Sequence, residues 1–201
     1  MNEEGNQKIG ARINIVGTSG SGKSTLAKEL ASFLGYPYIE MDRIFWGPNW
    51  TSSSDEEFSA NLKSSLQGSH WILDGNYNRS IPVKWQNVET VVWLDYSFTT
   101  TLFQAVRRAV RRAWTKEELW PETGNRESFQ KSFFTKDSII WWTITTHGSV
   151  RKKYENYMCD ARFAHIQFVR LRNRKETRQF IDAHRPFASF LKSGIPERGL
   201  K

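Results

Sequence analysis

Short apolar runs alternate along the chain with longer stretches whose apolar positions recur at helical spacing. The short runs predict five strands: Arg12–Val16, 36–42, His70–Leu73, Thr90–Asp95 and 166–171. The longer stretches predict four helices: Ser24–Leu34, Asp55–Leu66, Phe98–Ala113 and 175–191, the last broken near Pro186. Strands that alternate with helices in this way are typical of an open, mainly parallel α/β sheet.

Small or acidic residues stand where the predicted strands end. They are Gly17, Asp42, Asp74 and Asp95. In open parallel sheets, ligands bind in the crevice beyond the carboxyl ends of the strands. We therefore expect one crevice to hold most of these four residues.

The net charge indicates which partners the protein favours, and the cysteine content indicates its compartment. The 201 residues carry a net charge of +8, which favours negatively charged partners such as nucleic acid or phosphorylated small molecules. Cys159 is the only cysteine, so an internal disulfide framework is excluded and a reducing compartment is expected. The N-terminus is polar and no apolar stretch approaches about 18 residues. We expect a single cytoplasmic domain over 1–201 with no membrane partner.

The segment GTSGSGKST, from Gly17 to Thr25, follows the first predicted strand and opens the first predicted helix. It fits the template G-x-x-x-x-G-K-[ST], in which glycines let backbone N–H groups point at phosphate oxygens. Lys23 can neutralise the β- and γ-phosphates, and the Ser24 hydroxyl can join the coordination sphere of Mg²⁺. The segment thus predicts ATP and Mg²⁺ as ligands. The predicted nucleotide contacts in this loop are Gly17, Ser19, Gly20, Ser21, Gly22, Lys23, Ser24 and Thr25.

A second informative segment, HWILDGNYNR, carries Asp74 at the end of a buried strand. One interpretation is that Asp74 holds a water molecule on the Mg²⁺ ion. The alternative is that Asp74 caps a turn with Gly75, which is a common role for an Asp-Gly pair. Arg79, a few residues later, is placed to reach an anionic acceptor.

Several motifs together resemble those of the adenylate-kinase-like small P-loop kinases, and most closely the group called DNA topology modulation (FlaR-type) proteins. The resemblance rests on GTSGSGKST, MDRIFWGPNW, WILDGNYNR, VVWLDYS, an arginine-rich helix and GNRESF…SIIWW, which span nearly the whole chain. It implies a three-layer P-loop NTPase fold whose five parallel strands have the order 2-3-1-4-5, with an acceptor-binding region and a mobile helical lid. The NYNR segment, with one extra residue between Asp74 and Arg79, departs from true adenylate kinases and does not support AMP as the acceptor.

Asp42 and Arg43 are the predicted acceptor-binding residues, at the end of the second predicted strand. In related small-molecule kinases, an Asp at this place can face the acceptor. If the acceptor is a neutral hydroxyl, Asp42 can orient it and take its proton; if it is a phosphate, Arg43 and Arg79 matter more. The competing interpretation is a helix-capping Asp42 beside a solvated Arg43. Trp46 and Trp50 either stack on a ring of the acceptor or pack in the core.

Four arginines, at positions 107, 108, 111 and 112, fall opposite the apolar stripe of the third predicted helix. A solvated helix face explains them, but like charges at i and i+4 repel each other, so an anion nearby is also a reasonable expectation. The resemblance implies that this helix leads into the lid and that Arg107 or Arg111 contacts the nucleotide.

The segment of about 114–150 is longer than an ordinary connection between strands, which predicts a function for it. The resemblance implies that this segment is the lid. A closed lid excludes water from the transferred phosphoryl group. Arg126 and Arg151 are the candidates for catalytic arginines that move onto that group, and the alternative is a merely basic surface.

These residues together predict an ATP-dependent phosphotransferase that acts on a small-molecule acceptor. The alternative is an ATP-binding regulatory or nucleic-acid-associated protein that uses ATP as a switch. No helix-turn-helix motif, RNA-binding motif or long basic run supports a nucleic-acid partner. The histidines have no metal-ligand spacing. The identity of the acceptor and the oligomeric state stay open.

Overall fold

The computed structural model describes residues 9–115, 118–120, 123–125 and 139–185. These residues form five strands: β1 (Arg12–Gly17), β2 (Tyr38–Glu40), β3 (Trp71–Asp74), β4 (Thr90–Leu94) and β5 (Gln167–Leu171). They also form seven α-helices: α1 (Lys23–Leu34), α2 (Met41–Phe45), α3 (Asp55–Ser65), α4 (Ile81–Lys84), α5 (Phe98–Thr115), α6 (Ile139–Cys159) and α7 (Arg174–His184). Three short 3₁₀ turns complete them: Pro48–Trp50, Asn78–Ser80 and Ala161–Phe163.

All strand pairs in the sheet are parallel, and the strand order is β2-β3-β1-β4-β5. This order confirms the fold expected from the sequence. The register pairs Ile15 with Asp74 across β1 and β3, and Gly17 with Leu94 across β1 and β4. The carboxyl end of the central strand therefore lies between the ends of its two neighbours, which is where ligands bind in such sheets.

Helices cover both faces of the sheet, and a buried apolar cluster lies under each layer. On one face Ile15 of β1 packs with Leu30 of α1 and Phe180 of α7. On the other face Trp93 of β4 packs with Tyr154 of α6, their rings stacked with centroids 5.5 Å apart. Strands buried on both faces need nearly continuous apolar sequence, which explains why the short apolar runs predicted them.

The second strand is shorter than the sequence predicted, because the chain turns into α2 immediately after Glu40. β2 ends at Glu40, so the expectation that the strand runs to Asp42 was wrong by two residues. Met41 is fully buried and packs directly against Gly75, whose missing side chain leaves the room for it. Burial of Met41 at that point requires the turn, and it places Asp42 in the first turn of α2.

The helices α5 and α7 also differ in extent from the predicted helices. α5 continues two residues beyond Ala113, to Thr115. The helix predicted over 175–191 begins at Arg174, and its described part ends at His184. Residues from Pro186 onward lie outside the described residues. Within the described part of the chain, none of the helices is both long enough and apolar enough to cross a bilayer.

Candidate active site

The loop between β1 and α1 presents an open helix N-terminus. α1 begins at Lys23 after Gly22, which has a left-handed backbone (φ 95°), and no side chain caps the helix. No acidic residue lies in its first turn. The first N–H groups of a helix have no partner within the helix and carry partial positive charge. An anion is therefore well suited to this position.

Gly20 fixes the loop against α5. A Cβ atom at Gly20 would lie 2.8 Å from the Cβ of Ala105 and 2.9 Å from the carbonyl oxygen of Thr101. Its φ of +83° is also in the left-handed region that favours glycine. Glycine at position 20 thus allows α5 to approach the loop closely, which brings the arginines of that helix to the site.

A cavity of about 520 Å³ extends from the loop between α1, α5 and α7. This volume lies within the usual range for ligand pockets. Among the residues that line it, five are cationic and one is anionic. The cations are Lys23, Lys28, Arg108, Arg112 and Arg174, and the anion is Glu29. The predicted loop residues Gly20, Ser21, Gly22, Lys23, Ser24 and Thr25 line the same cavity.

The arginines of α5 that reach this cavity are Arg108 and Arg112. The Nη2 atom of Arg108 donates a hydrogen bond to Ser19 Oγ at 2.9 Å. Arg107 and Arg111, which the resemblance favoured, are exposed and are not among the described residues lining the cavity. Arg108 and Arg112 share a helix face with Gln104, which also lines the cavity, but the spacing alone does not select this face over that of Arg107 and Arg111.

Asn76 holds the start of the loop, and sequence reasoning did not single it out. Its Oδ1 atom accepts a hydrogen bond from the Gly17 N–H at 3.0 Å, and its Nδ2 atom donates to the Gly17 carbonyl at 2.5 Å. Asn76 follows Asp74 and Gly75 at the end of β3. The turn after β3 is therefore tied to the glycine-rich loop from Gly17 to Thr25 (the phosphate loop). A polar residue directly after a predicted strand end was the available signal.

Asp74 lies at the carboxyl end of β3 and is almost completely buried. Its Oδ2 atom accepts a hydrogen bond from the Tyr38 hydroxyl at 3.0 Å, and its Oδ1 atom has no hydrogen-bond partner among the described residues. Burial and the nearby Asp74 raise the pKa of Tyr38, which keeps that hydroxyl a donor. A buried carboxylate oxygen without a partner is an unsatisfied acceptor, and it suits a hydrated cation such as Mg²⁺. These hydrogen bonds do not cap the turn with Gly75.

Asp42 is exposed in α2 and is held by Tyr77, whose hydroxyl donates to Asp42 Oδ1 at 2.8 Å. Burial and the Asp42 carboxylate raise the pKa of Tyr77, so Tyr77 stays protonated and remains the donor. Glu40, not Asp42, occupies the N-cap position of α2. The helix-capping interpretation of Asp42 is therefore wrong.

The two other acceptor-side residues have separate surroundings. Arg79 forms an ion pair with Asp55, and its guanidinium lies 4.8 Å from the ring centroid of Phe45. Arg43 is exposed and lines a separate cavity of about 510 Å³ between α2 and α3. The structure thus does not bring Arg43 and Arg79 together at one phosphate-sized site.

Arg151 lies on α6, where its Nε atom donates to Asp95 Oδ1 at 2.7 Å. Asp95 also forms an ion pair with Arg170 of β5 at 2.6 Å. Asp95 thus anchors two arginines at the carboxyl end of β4, beside the phosphate loop rather than in its cavity. Arg126, the other predicted catalytic arginine, lies outside the described residues.

Lys84 is a buried cation next to the acceptor side. It is 1% exposed, and its Nζ atom donates to the Gly75 carbonyl at 3.4 Å. Burial lowers the pKa of Lys84 to about 7.

The His147 ring is also buried, within hydrogen-bond distance of the Tyr96 carbonyl (3.0 Å). Among the described residues, His, Cys, Asp and Glu side chains form no group that could itself hold a metal ion.

No protein-family model matches this sequence, and a search of curated proteins finds no match either. Solved structures with a similar fold include a gluconokinase from Sinorhizobium meliloti 1021, at 13% identity and a TM-score of 0.47, covering 94% of this chain and 100% of that one. A deoxyadenosine kinase from M. mycoides has 14% identity and a TM-score of 0.49, with coverage of 90% and 98%. A shikimate kinase from Acinetobacter baumannii has 14% identity and a TM-score of 0.49, with coverage of 92% and 94%.

These values are too low to carry over the activity of any one of these proteins. The likeness to the DNA topology modulation proteins stays a resemblance of motifs, since no family model matches.

Proposed function

We propose that this protein is an ATP-dependent phosphotransferase that passes the γ-phosphate of ATP to a small-molecule acceptor. The observation that supports this proposal is the open N-terminus of α1 in a cavity with five cationic side chains and one carboxylate. A polyphosphate needs an excess of positive charge and backbone N–H donors, which the cationic lining of the cavity and the uncapped start of α1 can supply. The cavity continues toward α7, which leaves room for the nucleoside.

In this proposal the loop residues and an arginine of α5 hold the phosphates of ATP. The backbone N–H groups of the loop, with Ser21 and Thr25 at its turn into α1, hold the β- and γ-phosphates. Lys23 neutralises the charge that develops on the transferred group. Arg108, fixed by Ser19, contacts the phosphates from the α5 side. Arg107 and Arg111 would contact the nucleotide only if α5 rotates about its axis.

Ser24 and Asp74 are the residues that would hold Mg²⁺, Ser24 through its hydroxyl and Asp74 through its partnerless Oδ1. When bound, the ion neutralises the charge on the β- and γ-phosphates. Tyr38 orients the Asp74 carboxylate through the hydrogen bond to Oδ2. Asn76, two residues after Asp74, keeps the phosphate loop in register with β3.

On the acceptor side, Asp42 orients the acceptor and takes its proton, with Tyr77 holding the carboxylate in place. Arg43, which is exposed, and Arg79, which is paired with Asp55, are the other acceptor-side candidates, and they would serve a phosphorylated acceptor only if Arg79 left Asp55. Arg126 and Arg151 are the proposed lid arginines, and Arg151 has to exchange Asp95 for the phosphoryl group. The lid spans about 114–150.

The first experiment measures ATP·Mg²⁺ binding by thermal shift and calorimetry in the wild type, in Lys23→Ala and in Lys63→Ala. Lys63 is exposed on α3 and serves as the matched control. A ligand at 100 times its dissociation constant stabilises a protein by about 2.7 kcal/mol, which a thermal shift detects. We expect the shift in the wild type and the control, and a loss of at least about tenfold in affinity in Lys23→Ala.

The second experiment follows the γ-phosphate itself, from labelled ATP into a pool of nucleosides, sugars and their phosphates. Labelled product in the wild type and not in Lys23→Ala supports a phosphotransferase. Tight ATP binding without any labelled product, together with a salt-dependent affinity for DNA, would instead support the regulatory alternative.

A further inference from the structure

Two segments that are distant in sequence, the first of them rich in aromatic residues, form one wall beside Asp42. The segments are residues 45–51 and 118–125, of which the structure describes 118–120 and 123–125 in the second. The side chain of Asn125 is fully buried between them. Its Oδ1 atom accepts from the Trp50 N–H at 2.7 Å, and its Nδ2 atom donates to the Gly47 carbonyl at 2.9 Å. The Asn49 N–H donates to the Thr123 carbonyl at 3.0 Å, which adds a backbone hydrogen bond between the two segments.

Three indoles line this wall. Trp46 and Trp50 meet edge to face with ring centroids 5.6 Å apart, and Trp50 and Trp120 do so at 6.0 Å. Trp46 and Trp50 are half-buried, so part of each ring remains accessible. Trp120 is buried beside the Glu40 carboxylate. Half-buried indoles fixed by polar partners are typical of surfaces that bind the apolar face of a ring.

The wall is joined to the proposed catalytic carboxylate. Trp46 and Tyr77 both pack against the Phe45 ring, with centroids 4.8 and 5.2 Å from it, and the Tyr77 hydroxyl donates to Asp42. The backbone N–H of Trp46 also donates to the Asp42 carbonyl at 2.9 Å. A ring held on Trp46 would therefore lie directly beside the Asp42 carboxylate.

The charge around this wall does not favour a second phosphate. Three carboxylates, those of Glu40, Asp42 and Asp74, interact with one another there. Against them stand Lys28, which lies over the Tyr38 ring, and the exposed Arg43. These five side chains are three carboxylates and two cations, so the sum of their formal charges is −1.

Two further cations of the described residues lie in this region, Lys84 and Arg79. Lys84 is buried with its Nζ atom donating to the Gly75 carbonyl, and Arg79 also has partners already. Arg79 is paired with Asp55 and packed between Phe45 and Phe58, whose centroids lie 4.8 and 5.5 Å from the guanidinium carbon. A phosphate monoester carries roughly two negative charges near neutral pH and is bound in proteins by arginines in bidentate geometry. The described residues offer no such pair here.

From this arrangement we infer that the acceptor is an uncharged ring compound with a free hydroxyl group, such as a nucleoside or a sugar, and not a phosphate monoester. This inference rests on the proposed function. The hydroxyl oxygen forms a bond to the γ-phosphorus while the bond from that phosphorus to the β–γ bridging oxygen breaks. ADP keeps the bridging oxygen, and the hydroxyl proton passes to the Asp42 carboxylate. The ring lies on Trp46 and Trp50, and Trp120 with Asn125 positions that surface.

The test uses acceptors in matched pairs that differ by one phosphate: a nucleoside and its 5′-monophosphate, a sugar and its monophosphate. Transfer of label from γ-labelled ATP is measured for each member with the full-length protein. We expect the uncharged member of at least one pair to be phosphorylated with a kcat/KM at least about tenfold above that of its phosphate.

Three variants separate this inference from a general loss of structure. Asp42→Asn is expected to lower kcat by about 100-fold with little change in the KM for the acceptor. Trp46→Ala is expected to raise the KM for the acceptor at least about fivefold while the KM for ATP stays constant. Asp160→Asn is the control, because Asp160 pairs with Arg162 at the opposite end of the sheet. It should change neither constant.

Each outcome decides a different claim. Transfer only to the phosphorylated members would overturn the uncharged-acceptor inference and leave the phosphotransferase proposal intact. ATP binding without transfer to either member of any pair would overturn both. An unchanged acceptor KM in Trp46→Ala, with the ATP-induced thermal shift retained, would overturn the place given to the ring.

Discussion

The side-chain amide of Asn76 is hydrogen-bonded to both the N–H and the carbonyl of Gly17. Gly17 is the last residue of β1 and the first of the phosphate loop, whereas Asn76 follows β3. The two hydrogen bonds therefore join the loop that would hold the donor to the turn that carries Asp74. Tyr77, the next residue, holds Asp42 on the acceptor side.

Replacement of Asn76 should loosen the phosphate loop. Asn76→Ala leaves the Gly17 N–H and carbonyl without partners, which costs about 1–3 kcal/mol in the free energy of unfolding. We expect ATP to bind about tenfold more weakly, as measured by calorimetry. Asn76→Asp keeps the acceptor but adds a negative charge beside the phosphates, so it should weaken ATP binding at least as much. Asn156→Ala, an exposed asparagine on α6, is the control and should bind ATP normally.

The sequence was sufficient for the architecture because the apolar runs and the glycine loop are local signals. A strand buried on both faces has to be apolar throughout, and Val91 to Leu94 satisfy this. Gly20 and Gly22 adopt positive φ as the loop template requires. The end of β2 was predicted wrongly because it depends on Met41 meeting Gly75, a contact between residues 34 positions apart.

The sequence predicted only those parts of the site that belong to a local sequence motif. Which pair of α5 arginines faces the cavity depends on how the helix is rotated about its axis. The close approach of Ala105 to Gly20 sets that rotation. The role of Asn125 depends on segment 118–125 reaching Gly47, across 78 residues. No periodicity in the sequence encodes such a pairing. These long-range contacts are the part that the structure supplies.

The arginines of α5 provide a direct comparison on one helix. Arg108 lines the cavity and donates to Ser19, whereas Arg107 is exposed. Loss of one charge-assisted hydrogen bond to a phosphate is worth about 1.4 kcal/mol, or tenfold in affinity. We expect Arg108→Ala to raise the dissociation constant for ATP about tenfold, and Arg107→Ala to change it less than twofold. The reverse ranking would show that α5 turns its other face to the nucleotide.

Gly20 should tolerate substitution poorly. Gly20→Ala places a Cβ atom 2.8 Å from Ala105 Cβ and 2.9 Å from the Thr101 carbonyl, at a φ of +83°. Strain and overpacking together should lower the free energy of unfolding by about 2–4 kcal/mol and weaken ATP binding. Gly148→Ala, inside α6 with open space around its Cβ position, should stabilise the protein by about 0.5–1 kcal/mol. Urea denaturation measures both. Equal effects of the two substitutions would contradict this account of the loop.

Lys84 makes stability depend on pH in a predictable direction. Burial lowers its pKa from 10.5 to about 7, so between these values the unfolded chain binds a proton that the folded protein does not. Stability therefore rises as the pH increases through this window, by up to about 1.4 kcal/mol per pH unit. The penalty for burying the charge is complete below about pH 7 and absent above the unfolded pKa.

Urea denaturation of the wild type and Lys84→Met at several pH values between about 7 and 9.5 tests this directly. The upper limit lies below the ordinary tyrosine pKa of about 10. Tyr38, Tyr77 and Tyr154 therefore stay mostly protonated in the unfolded chain, and burial raises the pKa of each in the folded protein. Lys84→Met has a similar volume and no ionisable group, so its stability should be nearly constant over this range. Below about pH 7, where the wild type bears the full penalty, the variant should be the more stable of the two. A wild-type stability that is flat with pH would mean that Lys84 keeps its charge in the fold, with the Gly75 carbonyl and the Trp85 ring, 5.7 Å away, compensating for the lost water.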